Sequence, residues 1–153
     1  MIPAARDAVI NAGISSNGVV KKAFRGQISS FGAAITMGSL LPAVAFFSDQ
    51  GKAEVDRSKL MKAIMLVLQK EDGPLGDAAK KHESNPLLEF CTEVCNPAPA
   101  GDGGTDKISA SQLREAVIDA AIAIKLSLNY FKLVDLDSGE GAASDDEKEA
   151  SRS

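Results

Sequence analysis

Residues 26–48 read GQISSFGAAITMGSLLPAVAFFS and carry no charged side chain. How this stretch is buried decides the fold. It is long enough to span a bilayer as a helix. Gln27, four serines, Thr36, three glycines and Pro42 dilute its apolar character, however. No Trp or Tyr belt flanks it, and no second span exists to pair with it. The reading that follows is a buried helix inside a bundle, interrupted near Gly38 or Pro42. The alternative is a membrane-associated helical protein anchored through residues 26–48. Gly32, Ala33, Ala34, Gly38 and Ser39 are small enough to let another backbone approach closely, within the domain or on another subunit.

Outward from this stretch the pattern stays helical. Residues 4–13 form a short first helix, and the apolar stretch belongs to a longer one over residues 19–48. Residues 54–70 place Leu60, Ile64, Val67 and Leu68 at i, i+4, i+7 and i+8, a core-facing stripe. Residues 86–95 form a shorter helix with Pro86 in its first turn and Ser84 or Asn85 as cap. The last helix covers residues 109 to about 134. Ser109 followed three residues later by Gln112 fits a capping box. Val117, Ala120, Ala121, Ile124, Leu128 and Phe131 form its apolar face. The breaks are Glu71-Asp72-Gly73-Pro74 and the Pro/Gly-rich residues 96–104. No run alternates convincingly as a strand. The expectation is all-α: a compact helical bundle of about five helices.

Composition agrees. With no tryptophan and few aromatics in 153 residues, the core must come from Leu, Ile, Val, Ala and Met. One domain of this length can bury a core without disulfides or metals. Two cysteines and no secretory leader pattern suggest a reducing, cytoplasmic setting. The net charge of −4 is unevenly spread. Residues 1–70 hold nine Lys/Arg against four Asp/Glu, whereas residues 135–153 hold seven acids against two bases. The chain therefore divides into a helical domain, residues 1–134, and an acidic tail, residues 135–153. The tail has no apolar face and is expected to be disordered. It serves either as a solvated end or as a competing acidic segment.

Two basic groups stand out. Lys21, Lys22 and Arg25 lead into the apolar helix, and at ~100° per residue Lys21 lies ~40° and Lys22 ~60° from Arg25. On the last helix Arg114, Lys125 and Lys132 agree in azimuth to within ~20°. Either group suits a solvated face, or contact with a phosphate backbone. Catalytic and metal-binding patterns fare worse. Cys91 and Cys95 share a helix face, but His82 is the only other soft donor. Residues 101–107 resemble a phosphate loop with Asp106 where glycine is needed. Asp135, Asp137 and Glu140 resemble a calcium loop that lacks a ligand and its glycine. No catalytic residue, cofactor or metal site is assigned, and an enzyme is not expected.

Taken together, Lys21-Lys22-Ala23-Phe24-Arg25, the uncharged helix passing Gly38, and Leu40-Leu41-Pro42-Ala43-Val44-Ala45-Phe46-Phe47 resemble the small subunit of the type III-B CRISPR effector, the Cmr complex. The segment from Leu113-Arg114-Glu115-Ala116 to Tyr130-Phe131-Lys132 resembles that family's final helix. Ser39 and Pro42 depart from the pattern, as does the absence of a tryptophan near the end. The resemblance implies a non-catalytic protein of antiviral defence. Copies would stack on one another in a minor filament beside other subunits of the effector complex. They would contact the backbones of guide RNA and target RNA. The resemblance carries this role to Lys21, Lys22, Arg25, Lys125 and Lys132, and the helical stripe adds Arg114.

Overall fold

The computed structural model describes residues 1–49, 55–82, 86–96 and 108–135. Seven α-helices and a small sheet make up these residues. In chain order they are α1 (Ile2–Asn11), β1 (Ser15–Ser16), β2 (Val19–Lys21), α2 (Lys22–Met37), α3 (Leu40–Ser48), α4 (Arg57–Gln69), α5 (Pro74–Lys81), α6 (Leu87–Cys95) and α7 (Ala110–Ser127). A 3₁₀ turn, Leu128–Tyr130, then leads into β3 (Lys132–Val134).

The uncharged stretch is divided between α2 and α3. Gly38 ends α2, and Ser39 takes an extended conformation before α3 begins. A Cβ on Gly38 would sit 2.9 Å from the Ala34 carbonyl oxygen, so this turn fits glycine. Pro42 falls in the first turn of α3, where the missing N–H has no helical partner to lose. Phe24, Ile28, Phe31 and Ile35 form the buried stripe of α2, and Leu40, Ala43, Val44 and Phe47 that of α3. Phe31 and Phe47 meet edge to face with ring centres 5.3 Å apart. Each aromatic buried in this way contributes about 1.5–3 kcal/mol through removed apolar surface. The single long span through residues 26–48 does not form. Among the described residues no helix is long and apolar enough to cross a membrane.

α4 is the central helix and packs against α1, α2, α3, α5, α6 and α7. The expected stripe of Leu60, Ile64, Val67 and Leu68 is buried, and so are Met61, Ala63 and Met65, which widen it around the helix. Asp56 caps its N-terminus by accepting from the Ser58 amide. Arg57 is buried beside that cap. Its guanidinium lies 4.7 Å from the Phe46 ring centre and 5.3 Å from that of Phe47, and it donates to the Asp49 carbonyl. These contacts tie the end of α3 to the start of α4. The capping box of the last helix is present, with Ser109 and Gln112 each accepting from the other's backbone amide.

Three expectations need correction. The helix number is seven rather than about five among the described residues. One addition arises from the division at Gly38. The other is α5, which starts at the proline read above as the end of a break. Pro74 stands at the first position of this helix, where its fixed φ suits helix entry. Second, strands do occur. Asn17 and Gly18 both have positive φ, 53° and 77°, and turn β1 back on β2 in the manner of a two-residue hairpin. Third, the last helix stops at Ser127 instead of running to about residue 134. The Ser127 hydroxyl donates to the Ile124 carbonyl, the next turn tightens to 3₁₀, and Phe131 is extended. Residues Lys132–Val134 then pair in parallel with Val19–Lys21. The open edge of β2 supplies backbone partners for β3, and Leu133 faces buried Val20 across the pair. The tail beyond residue 135 lies outside the described residues.

Candidate nucleic-acid interface

Alternation along the two paired strands sorts the cations outward. Val20 is buried, so its neighbours Val19 and Lys21 project to the other face of the sheet. Opposite them Leu133 packs on the core while Lys132 is exposed. The register sets Val19 against Lys132 and Lys21 against Val134, so Lys21 and Lys132 share the outer face. Helix α2 starts at the next residue, Lys22, and Arg25 follows one turn later on the exposed side. Four of the six basic candidates thus gather where the sheet meets the N-terminal end of α2. Lys132 belongs to this group through strand pairing, not through the helical azimuth it was expected to share with Lys125.

The remaining two lie on α7, along the edge that faces α2. Lys125 lines a shallow groove of about 140 Å³ between α2 and α7, together with Ser29, Gly32, Thr36 and Ile122. Ser29 sits one turn beyond Arg25 and donates to its carbonyl at 2.9 Å. Arg114 lies at the far end of α2. Its guanidinium donates to the Ile35 carbonyl at 3.2 Å and more weakly toward Thr36 at 3.5 Å. Ile35 is thirteen residues along α2 from Lys22, about 20 Å at the helical rise. Arg114 therefore stands apart from the patch and acts on the negative end of α2.

Charge balance within the patch is uneven. Lys22 pairs with Asp135 at 3.6 Å, both side chains being well exposed. Lys21, Arg25 and Lys132 form no ion pair with another described residue. Tyr130, two residues before Lys132, is exposed, and the Arg6 guanidinium lies 5.6 Å from its ring centre. Sequence patterning could not flag that pair, because Arg6 and Tyr130 meet only when α1 packs against the 3₁₀ turn. Asn17-Gly18, by contrast, is a hairpin signal legible in the sequence.

The soft donors are dispersed. Cys91 is buried on α6, and burial, with the neighbouring Cys95 adding to it, pushes its thiol up to about 12. Burial also raises the Cys95 thiol. His82 reaches the opposite side of α6, its Nε2 3.0 Å from a carboxylate oxygen of Glu93 and its ring 5.3 Å from that of Phe90. Among the described residues no group of three or more His, Cys, Asp and Glu could hold a metal ion. A cleft of about 580 Å³ lies between α4 and the start of α6. Met61, Met65, Leu66, Leu87 and Leu88 line it, and Lys62 and Glu89 there offset each other in charge. The residues resembling phosphate and calcium loops lie outside the described residues apart from Asp135. No family model matches the chain, and no curated protein and no solved structure matches it either.

Proposed function

We propose that this protein is a non-catalytic structural subunit of an RNA-guided effector assembly of the type III-B CRISPR class, working in the cytoplasm and contacting guide and target RNA through their phosphates. The observation that supports this most is the convergence of Lys21, Lys22, Arg25 and Lys132 on one exposed surface from two distant parts of the chain. Distributed cations on strand and helix suit contact with a phosphate backbone, which positions a nucleic acid without reading its sequence. Lys125 extends the surface toward the α2–α7 groove. Exposed apolar side chains elsewhere, Met37 at 89 % and Phe46 at 62 %, suit contacts with other subunits or further copies in a filament.

Binding to an RNA duplex, followed by fluorescence anisotropy against salt, tests the phosphate contacts. Each cation engaged should contribute about 0.7–0.9 to the slope of log K against log salt. Replacing Lys21, Arg25 and Lys132 together by Gln should flatten that slope by about two to three and weaken binding similarly across sequences. Absence of any low-salt binding would remove the phosphate reading. Affinity purification from a host carrying the effector tests the assembly itself, which requires co-purifying CRISPR subunits and guide RNA.

A further inference from the structure

We infer that the acidic residues following β3 act as a tethered competitor for the cationic patch, so that only a denser polyanion displaces them. The inference rests on the phosphate reading above and names how that surface is regulated.

The tether point carries the argument. Because β3 runs parallel to β2, the chain leaves Val134 beside Lys21 and passes directly to Asp135. Asp135 is the first acid of the tail, and it already pairs with Lys22. Beyond it follow Asp137, Glu140, Asp145, Asp146, Glu147 and Glu149 against Lys148 and Arg152. Ten residues span at most about 35 Å, whereas the patch extends only about one helical turn and one strand spacing from Asp135. Every acid up to Asp145 is thus tethered within reach of Lys21, Arg25 and Lys132, which have no ion-pair partner among the described residues.

Relative charge density sets the direction of exchange. Short tethers raise the effective concentration of an attached group to about the millimolar range. Exposed carboxylate–ammonium pairs such as Lys22–Asp135 are individually weak and screened over about 8 Å at physiological salt. A nucleic-acid duplex presents a charge about every 1.7 Å and gains further from counterion release. It therefore displaces the tail, while sparse acidic surfaces and single anions do not. The tail raises the threshold for binding and filters out weak polyanions.

Three chains test this: the intact 153-residue chain, the chain ending at Asp135, and a 153-residue variant with the six acids from Asp137 to Glu149 replaced by Asn or Gln. With a duplex RNA of about 20 base pairs in about 50 mM salt, both altered forms should bind about fivefold tighter than the intact chain, and the advantage should fall below about twofold near 200 mM. Backbone amide shifts of residues 19–25 and 132–135 should also differ between intact and altered forms at low salt without RNA. Equal affinities across the three, with all binding, overturn the competitor and leave the phosphate reading intact. Tighter binding without amide shifts overturns it too, since net charge alone would then account for the gain. If no form binds, both readings fall.

Discussion

The guanidinium of Arg114 faces two carbonyls at the C-terminal end of α2, where the helix dipole is negative. An Arg114→Met variant keeps most of the packing volume and loses those bonds. It should lower stability by about 1–2 kcal/mol in urea denaturation. Its affinity for duplex RNA should change less than twofold, in contrast to Arg25→Gln. At Cys91 the relevant quantity is the thiol's reluctance to ionise. Its folded value of about 12 lies above the ordinary 9.0, so the folded state holds the proton that the unfolded state releases. The resulting stability is fully present below pH 9 and is lost as pH rises from there toward 12. Iodoacetamide near neutral pH should accordingly modify Cys95, which is half-buried, well before Cys91. Cys91 should react at the rate of global unfolding, as peptide mass mapping over time would reveal.

Elements that repeat every helical turn or carry a clear cap were legible in the sequence, whereas the short ones were not, even where a turn signal such as Asn17-Gly18 was present. The stripe of α4 and the capping box of α7 follow from spacing and cap chemistry alone, and so does a division of the uncharged stretch near Gly38 or Pro42, which the structure places at Gly38. Helix α5 is eight residues long and opens on Gly73-Pro74, a pair that reads equally as a turn. What commits it to helix is its packing against α4, which buries Gly76 and Ala79; locally, Gly76 lies so close to the preceding turn that a Cβ there would stand 1.7 Å from the Glu71 carbonyl oxygen. Gly76→Ala should therefore cost about 2–4 kcal/mol despite alanine's better helix propensity, measurable as a lower urea midpoint. The β1–β2 turn makes the complementary case. Gly18 has open space around it but a φ of 77°, so Gly18→Ala carries only the left-handed strain of about 1–2 kcal/mol. Unlike the Gly76 change, it should also weaken RNA binding, because it loosens the strand that holds Lys21 and Lys132 together.

Across the whole molecule, the candidate site was half legible. Lys21, Lys22 and Arg25 are neighbours in sequence, and local geometry suffices to group them. Lys132 joins them only through a parallel strand pair, and no helical periodicity encodes that. Its spacing from Lys125 suggested a continuous helix, an expectation defeated by the hydrogen-bonding edge of β2. The hydrophobic core is shared widely enough that one deletion should be felt throughout. Phe31→Ala, at a fully buried position against Phe47, should cost about 3–5 kcal/mol and shift far-UV and near-UV melting curves together.

The parallel pairing of Val19–Lys21 with Lys132–Val134 joins segments more than a hundred residues apart. At about 5–20 residues per second, a ribosome needs on the order of ten seconds to make what lies between. Throughout that interval the nascent chain carries β2 with one edge bare, open to any extended segment nearby. The surface that groups Lys21 with Lys132 is thus completed only once β3 has been translated, and a newly made chain gains its full cationic face after α2 to α7 have been made.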